Sequence, residues 1–198
     1  MAEMANELLL YAAENGSLEG VKTALKAGAD IDCDQPADSD IIRSGTPLYH
    51  ASFNGHVDIV KLLLRKEASV AKRTRFSFAT LHAAANGGRT EVVDLLVQHG
   101  ATLDIRDAWQ YTPLMCASMY KHVGTVRRLI EHGARADLTD GPGRSLVAQR
   151  YCELGMEIGR HGSEECLKLL EDARKSKLLR CCNPKCGKPG YRLIDLRF

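Results

Sequence analysis

The residues best suited to bind a metal ion are three cysteines near the end of the chain, Cys181, Cys182 and Cys186. Cys186 follows the other two at C-x4-C and C-x3-C spacing, which lets two thiolates hold one zinc ion across a turn. A structural zinc site needs four ligands, and residues 187–198 contain no Cys or His. The sequence therefore predicts half of a zinc site, which binds zinc only if other ligands complete it.

The remaining residues show no pattern that is typical of a catalytic site. His50 and His161 have no Cys-Asp or Ser-Asp partner at a recognisable spacing, and no glycine-rich phosphate loop is present. We therefore predict that the protein is not an enzyme. Four cysteines stand alone and are predicted to be small packing residues or unreactive thiols: Cys33, Cys116, Cys152 and Cys166.

Charge and cysteine content indicate a location and a class of partner. The net charge is +2, but residues 174–198 hold eight Lys or Arg against Asp195, so this segment carries +7 and the rest of the chain −5. Nucleic acid is therefore an improbable partner, except weakly through the basic tail. Seven cysteines without a signal peptide or membrane-spanning run predict a reducing cytoplasmic or nuclear location, neither secreted nor membrane-bound.

The elements that position these residues come from a repeat. Thr46, Ala79, Thr112 and Ser145 each lie 33 residues after the one before. Thr46 and Thr112 can cap a helix whose first residue is a proline. A glycine then breaks that helix, and a second helix follows with a one-sided apolar stripe. Because one helix pair cannot cover its own apolar face, the units must stack.

The segments TPLYHA, ATLHAA, QHGATLD and EHGARAD resemble the ankyrin repeats over residues 5–173. The resemblance implies an all-α solenoid of about five helix-turn-helix repeats with short β-turn fingers and a disordered or partial C-terminal tail. The expected repeats are residues 5–32, 44–76, 77–109, 110–142 and 143–173, followed by the tail at 174–198. The first repeat is expected to cap the stack, and family position implies that five histidines donate to loop backbone: His56, His82, His99, His122 and His132.

The tail segment CCNPKCGKPG resembles the opening of a MYND-type zinc finger, a domain known to follow ankyrin arrays. The resemblance implies that Cys181 and Cys186 form the first ligand pair, with Cys182 as a substitute. Three interpretations stay open: a truncated, disordered finger, a zinc site completed by another chain, or a basic tail with incidental cysteines.

In ankyrin proteins, certain offsets from the motif threonine point into the binding groove. That rule implies these partner-binding residues: Arg43, Phe53, Phe76, Phe78, Trp109, Tyr111, Met119, Tyr120 and Arg144. Phe76 and Trp109 share one offset, and units stacked about 10 Å apart would let their rings flank or grip one partner segment. The alternative is that Phe76 and Phe78 pack within the hairpin layer.

The function predicted from the sequence is a non-enzymatic protein–protein interaction module or scaffold, monomeric and without a cofactor in its repeats. Aromatic side chains and arginine dominate the energetics of protein interfaces, which favours this interpretation. The alternative is a zinc-finger adaptor or nucleic-acid-associated regulator acting through the basic, cysteine-containing tail.

Overall fold

A computed structural model of the protein describes residues 2–34, 44–140, 148–151 and 164–177. Within these residues the fold is helical, and the one β pairing is an isolated antiparallel bridge between Arg73 and Ala79. The named helices are α1 (Ala2–Asn15), α2 (Leu18–Lys26), α3 (Pro47–Asn54), α4 (Val57–Arg65), α5 (Thr80–Asn86), α6 (Thr90–Gln98), α7 (Pro113–Met119), α8 (Val123–Glu131) and α9 (Glu164–Lys177). Residues 148–151 are also helical. The all-α prediction is confirmed.

The first helix of each central unit starts as its sequence predicts. The Thr46 hydroxyl accepts a hydrogen bond from the Tyr49 backbone N–H at 3.2 Å, and Pro47 occupies the first turn of α3. Thr112 caps α7 in the same way. In α5 the equivalent position is Ala79, whose side chain cannot cap. A residue inside that helix takes over part of this role, as described below.

Most helix ends in the repeats have a glycine in the left-handed conformation, and two helix ends have another residue in its place. Gly88, Gly100 and Gly133 all have positive φ angles, which suit the left-handed conformation. Glu67 and Lys121 replace glycine at equivalent positions of other units, and their φ angles are 64° and 57°. Both residues therefore hold a left-handed backbone conformation that is unfavourable for a residue with a side chain.

The helices form two stacked layers. α1, α3, α5 and α7 pack against one another in the inner layer, while α2, α4, α6 and α8 form the outer layer, with α9 against α8. Leucines of the two layers meet at 33-residue intervals, and none of them is more than 1% exposed: Leu48, Leu81, Leu114, Leu63, Leu96 and Leu129. The periodic leucines thus form one continuous core along the stack.

Two helix boundaries differ from the sequence prediction. α1 begins at Ala2, before the expected start of the first repeat at residue 5, because no Pro or Gly interrupts these residues. α9 continues past the expected end at Ala173 to Lys177. Its last turn is supported by an ion pair of 2.7 Å between Glu171 and Lys175, four residues apart on the helix.

No helix in the described ranges is both long enough and apolar enough to cross a membrane.

Candidate protein-binding surface

Two short turns, which we call fingers, project where neighbouring units join: residues 74–78 and 107–111. In the first finger, the Ser77 backbone N–H donates to the Thr74 carbonyl at 2.8 Å. In the second, the Gln110 N–H donates to the Asp107 carbonyl at 3.1 Å. Ser77 and Gln110 both have positive φ angles, so the two fingers share one conformation. The β-turns predicted at these positions are present.

Asp107 holds the second finger in shape. Its Oδ1 atom accepts hydrogen bonds from the backbone N–H groups of Trp109 at 2.9 Å and Tyr111 at 2.8 Å. Burial raises the pKa of Asp107, although these two N–H groups oppose the shift. Asp107 is not among the residues predicted from the sequence. Its signal is the tendency of Asp to bond to backbone two residues onward in a turn, which the sequence around Trp109 allows.

The two fingers are also bonded to each other. The Ala108 backbone N–H donates to the Phe76 carbonyl at 3.0 Å. Arg73 reaches across and donates from its guanidinium to the Arg106 carbonyl at 2.9 Å. Arg106 in turn donates to the Thr139 carbonyl of the following unit at 2.6 Å. This chain of bonds fixes the spacing of successive fingers.

The aromatic rings of the fingers form one cluster, which we call the finger cluster: Phe76, Phe78 and Trp109. The Phe76 and Trp109 ring centroids lie 5.3 Å apart with an interplanar angle of 28°, and the Phe78 and Trp109 centroids lie 5.6 Å apart. Trp109 is 44% exposed, whereas both phenylalanines are half-buried.

The expected separation of about 10 Å between Phe76 and Trp109 is therefore wrong. The two rings stack in direct contact, because the bond between Ala108 and Phe76 draws the fingers together. No partner segment can lie between them. The alternative that both phenylalanines pack within the hairpin layer agrees with their half-buried state, while Trp109 still presents an exposed aromatic surface.

Tyr111 points toward the next unit rather than toward the finger cluster. Its ring meets that of Tyr151 edge to face, with centroids 5.1 Å apart. Tyr151 is buried, and its hydroxyl donates to the Asp140 carboxylate at 2.7 Å. Burial together with this hydrogen bond raises the pKa of Tyr151. Tyr151 was missed in the sequence, since it lies where the repeat motif has decayed.

The remaining predicted contact residues lie near the ends of the inner helices. Phe53 of α3 and Tyr120 at the end of α7 are exposed, and Met119 beside Tyr120 is half-buried. The predicted contacts Arg43 and Arg144 lie outside the described residues.

Three histidines bond to backbone carbonyls of a neighbouring unit, and for one of them, His82, the carbonyl lies in a finger loop as the family pattern implies. His82 is fully buried in α5, where its Nδ1 atom accepts from the Ala79 backbone N–H at 3.2 Å and its Nε2 atom bonds to the Tyr111 carbonyl at 2.9 Å. It thereby supplies the bond that Ala79 cannot make and ties α5 to the next finger. His56 and His122 bond through Nε2 to carbonyls near the end of the inner helix of the previous unit, at 3.0 Å from Glu14 and 2.9 Å from Asn86.

The other two histidines depart from that role. His132 bonds to the Asp94 carboxylate at 2.7 Å, so the prediction that it donates to loop backbone is wrong. Asp94 lies on α6, and its carboxylate also accepts a hydrogen bond from the Arg128 guanidinium, with 2.6 Å between Nη2 and Oδ2. His99 bonds to the Leu95 carbonyl of its own helix at 2.8 Å.

The described residues contain neither a reactive cysteine nor a cluster of metal ligands. Cys33, Cys116 and Cys166 are buried, and burial raises the pKa of the Cys33 and Cys116 thiols to about 12, which makes them unreactive. No group of three or more metal-ligating side chains occurs in the described part of the chain. Four other cysteines lie outside it: Cys152, Cys181, Cys182 and Cys186.

Comparison with known proteins identifies a family. A family model described as ankyrin repeats (3 copies) matches residues 9–107 and 71–140, which together cover more than half of the 198 residues. No curated protein matches the chain significantly. The segment resembling a MYND-type finger lies beyond both matches.

Proposed function

Because this chain belongs to the ankyrin repeat family, whose repeats are protein–protein interaction modules, we propose that it is a non-enzymatic scaffold that binds a protein partner through its fingers and inner helices. The observation that carries this proposal is the exposed ring of Trp109 on the finger cluster.

Trp109 has the properties of an interface anchor. Tryptophan is enriched among the residues that dominate binding energy, and a large exposed apolar side chain usually serves contact with a partner. Its backbone is held by Asp107, and its ring rests on Phe76 and Phe78. Little conformational entropy is therefore lost when a partner covers it, which favours affinity.

The geometry also constrains how the partner binds. Since Phe76 and Trp109 are stacked, the partner lies over the open face or edge of the indole instead of entering between two rings. We propose that it presents an apolar or guanidinium group there, because both bind well to aromatic surfaces. Phe53 and Tyr120 are exposed at the inner helices and would extend the contact.

The test is the Trp109→Ala variant. We expect its affinity for a partner captured by the intact protein to fall at least thirtyfold, because losing a dominant contact costs about 2 kcal/mol or more. Stability should fall by about 1 kcal/mol, since the substitution also removes the stacking with two phenylalanines. Calorimetric titration and urea unfolding measure the two effects separately.

Lys168→Ala is the control. Lys168 is an exposed side chain on α9, outside the fingers and the inner helices. It should leave partner affinity unchanged. If Trp109→Ala binds as tightly per folded molecule as the unmodified protein, the finger cluster is a structural feature and the proposal fails.

The C-terminal zinc-finger or nucleic-acid role remains a prediction, because residues 178–198 lie outside the described structure. Capture by the full chain compared with a chain ending at Lys177 would separate the roles. Ending at Lys177 keeps α9 whole. If the shortened chain loses the partner, the tail rather than the repeats is the binding element.

A further inference from the structure

The first helix exposes an apolar stripe. Met4, Leu8 and Tyr11 are 73%, 39% and 68% exposed, and their spacing of i, i+4 and i+7 places them on one face of α1. They account for half of the large hydrophobic side chains that are exposed in the described residues. Phe53, Trp109 and Tyr120 are the others.

The repeat explains why this face is open. Leu8 and Tyr11 are equivalent to Pro47 and His50 of the second unit, both of which are buried. The same two positions are also buried in the third and fourth units: Thr80, Ala83, Pro113 and Cys116. In those units the preceding helix pair covers the face. The first unit is expected to cap the stack, and its α1 face is apolar where a capping repeat usually presents a polar outer face.

The stripe is flanked by negative charge alone. α1 contains Glu3, Glu7 and Glu14 and no Lys or Arg. Glu3 and Glu7 are exposed, and neither forms an ion pair with another described residue. α1 is therefore an acidic amphipathic helix with an uncovered apolar face.

A groove of matching character runs between α2 and α4 on the outer layer, where these two helices pack less closely than α6 and α8. It consists of two adjoining depressions of about 670 and 380 Å³ that share Lys22 and Leu62. Leu18, Leu25 and Ile31 supply further apolar surface.

The groove is basic at its rim. Two acids line the groove, Asp30 and Asp58. Five cationic residues also line it: Lys22, Lys26, Lys61, Arg65 and Lys66. Lys22 and Lys61 already pair with glutamates at 2.6 and 2.9 Å. Lys26 and Lys66 are exposed, and neither forms an ion pair with a residue that the structure describes.

We propose that α1 of one copy of the protein docks in the α2–α4 groove of a second copy. Met4, Leu8 and Tyr11 supply the i, i+4 and i+7 anchors by which an amphipathic helix fills an apolar groove. Glu3 and Glu7 then meet the rim that carries Lys26 and Lys66. Because only three anchors are buried, the association is weak and concentration-dependent. It differs from the monomer expected from the sequence.

Charge selects this pairing over the simpler one of α1 against α1. Two copies of α1 packed face to face would bring Glu3 and Glu7 against their own counterparts with no cation between them, and like charges across an interface are unfavourable. The groove supplies the opposite charge and the apolar floor together.

The experiment is a charge exchange, read by sedimentation equilibrium of the full chain up to about 1 mM, where weak contacts are populated. Glu3→Lys with Glu7→Lys should raise the self-association Kd about tenfold or more, and Lys26→Glu with Lys66→Glu should do the same. Combining all four substitutions should restore association, because the charges are again complementary. All four residues are exposed, so folding should be unaffected.

A matched control makes the same change in net charge elsewhere. Glu164→Lys with Asp172→Lys matches the charge change of the glutamate exchange on two exposed acids of α9 and should leave the Kd unchanged. A protein that sediments as a monomer at every concentration would overturn the proposal. So would an association that either exchange leaves intact, or one that the fourfold variant fails to restore.

Discussion

At the scale of single residues, His82 shows how one buried side chain joins two units. Since its Nδ1 atom accepts from the Ala79 N–H, the ring must carry its proton on Nε2, which donates to the Tyr111 carbonyl. Protonating Nδ1 would destroy the first of these bonds. Burial, with a smaller contribution from the charge of Arg73, lowers the pKa of His82 to about 4.

This shift predicts a dependence of stability on pH. The pKa is about 6.5 in the unfolded chain and about 4 in the folded protein. The unfolded state therefore binds more protons between these values, and the contribution of His82 is complete above pH 6.5 and lost as the pH falls toward 4. We expect a loss of up to about 3 kcal/mol, measured by urea unfolding across that range.

His82→Gln provides the comparison, because glutamine stays neutral over the same range and can still donate to Tyr111. The variant should be less stable at pH 7.5, but the difference in unfolding free energy should shrink as the pH falls. Parallel pH profiles for the two proteins would show that His82 is not the titrating group.

At the scale of the element, the end of α4 is the position where sequence and backbone disagree. Glu67 occupies the left-handed place that Gly100 and Gly133 hold in the following units. We expect Glu67→Gly to stabilise the protein by up to about 1 kcal/mol, because relief of left-handed strain outweighs the greater freedom of glycine in the unfolded chain. Thermal and urea unfolding measure the change.

The reverse substitution in the next unit is the control. A Cβ atom placed on Gly100 would meet no other atom within 4 Å, so Gly100→Ala tests backbone conformation without steric contact. It should destabilise by about 1 kcal/mol. Equal stability of Gly100→Ala and the unmodified protein would mean that this position tolerates a side chain and that Glu67 is not strained.

At the scale of the whole molecule, stability depends on contacts between neighbouring units. Leu96 is fully buried in the continuous core, and Leu96→Ala should cost about 2–5 kcal/mol, because a large side chain is lost and a cavity remains. Its effect should reach the adjacent units, so hydrogen exchange should accelerate in α4 and α8 as well as in α6. Acceleration confined to residues 92–97 would contradict coupling between units.

The tail allows one further prediction for the whole chain. The tail cysteines offer at most three thiolates, fewer than the four ligands of a structural zinc site. We expect less than one tightly bound zinc per chain by native mass spectrometry, and a melting temperature that a chelator does not change. One bound zinc that is lost in Cys186→Ser would show that the finger is complete.

Much of the fold could be predicted from the sequence because it depends on local patterns that recur. The 33-residue period, the caps at Thr46 and Thr112 and the apolar stripes specify helix pairs whose faces must stack. These features act over one or two turns of chain, so they can be identified before any tertiary contact is known.

The candidate site was decided by tertiary structure. Offset along the chain identified Phe76 and Trp109 as finger residues, but their separation depends on the bond between the fingers, which brings the rings into contact. Tyr111 follows the same pattern and yet faces Tyr151, because the next unit supplies a partner ring. Burial likewise depends on whether a neighbouring unit covers the position, since Leu8 is exposed and its equivalent Pro47 is buried. Sequence therefore determined which residues occupy each position, and packing between units determined which of them are left to bind.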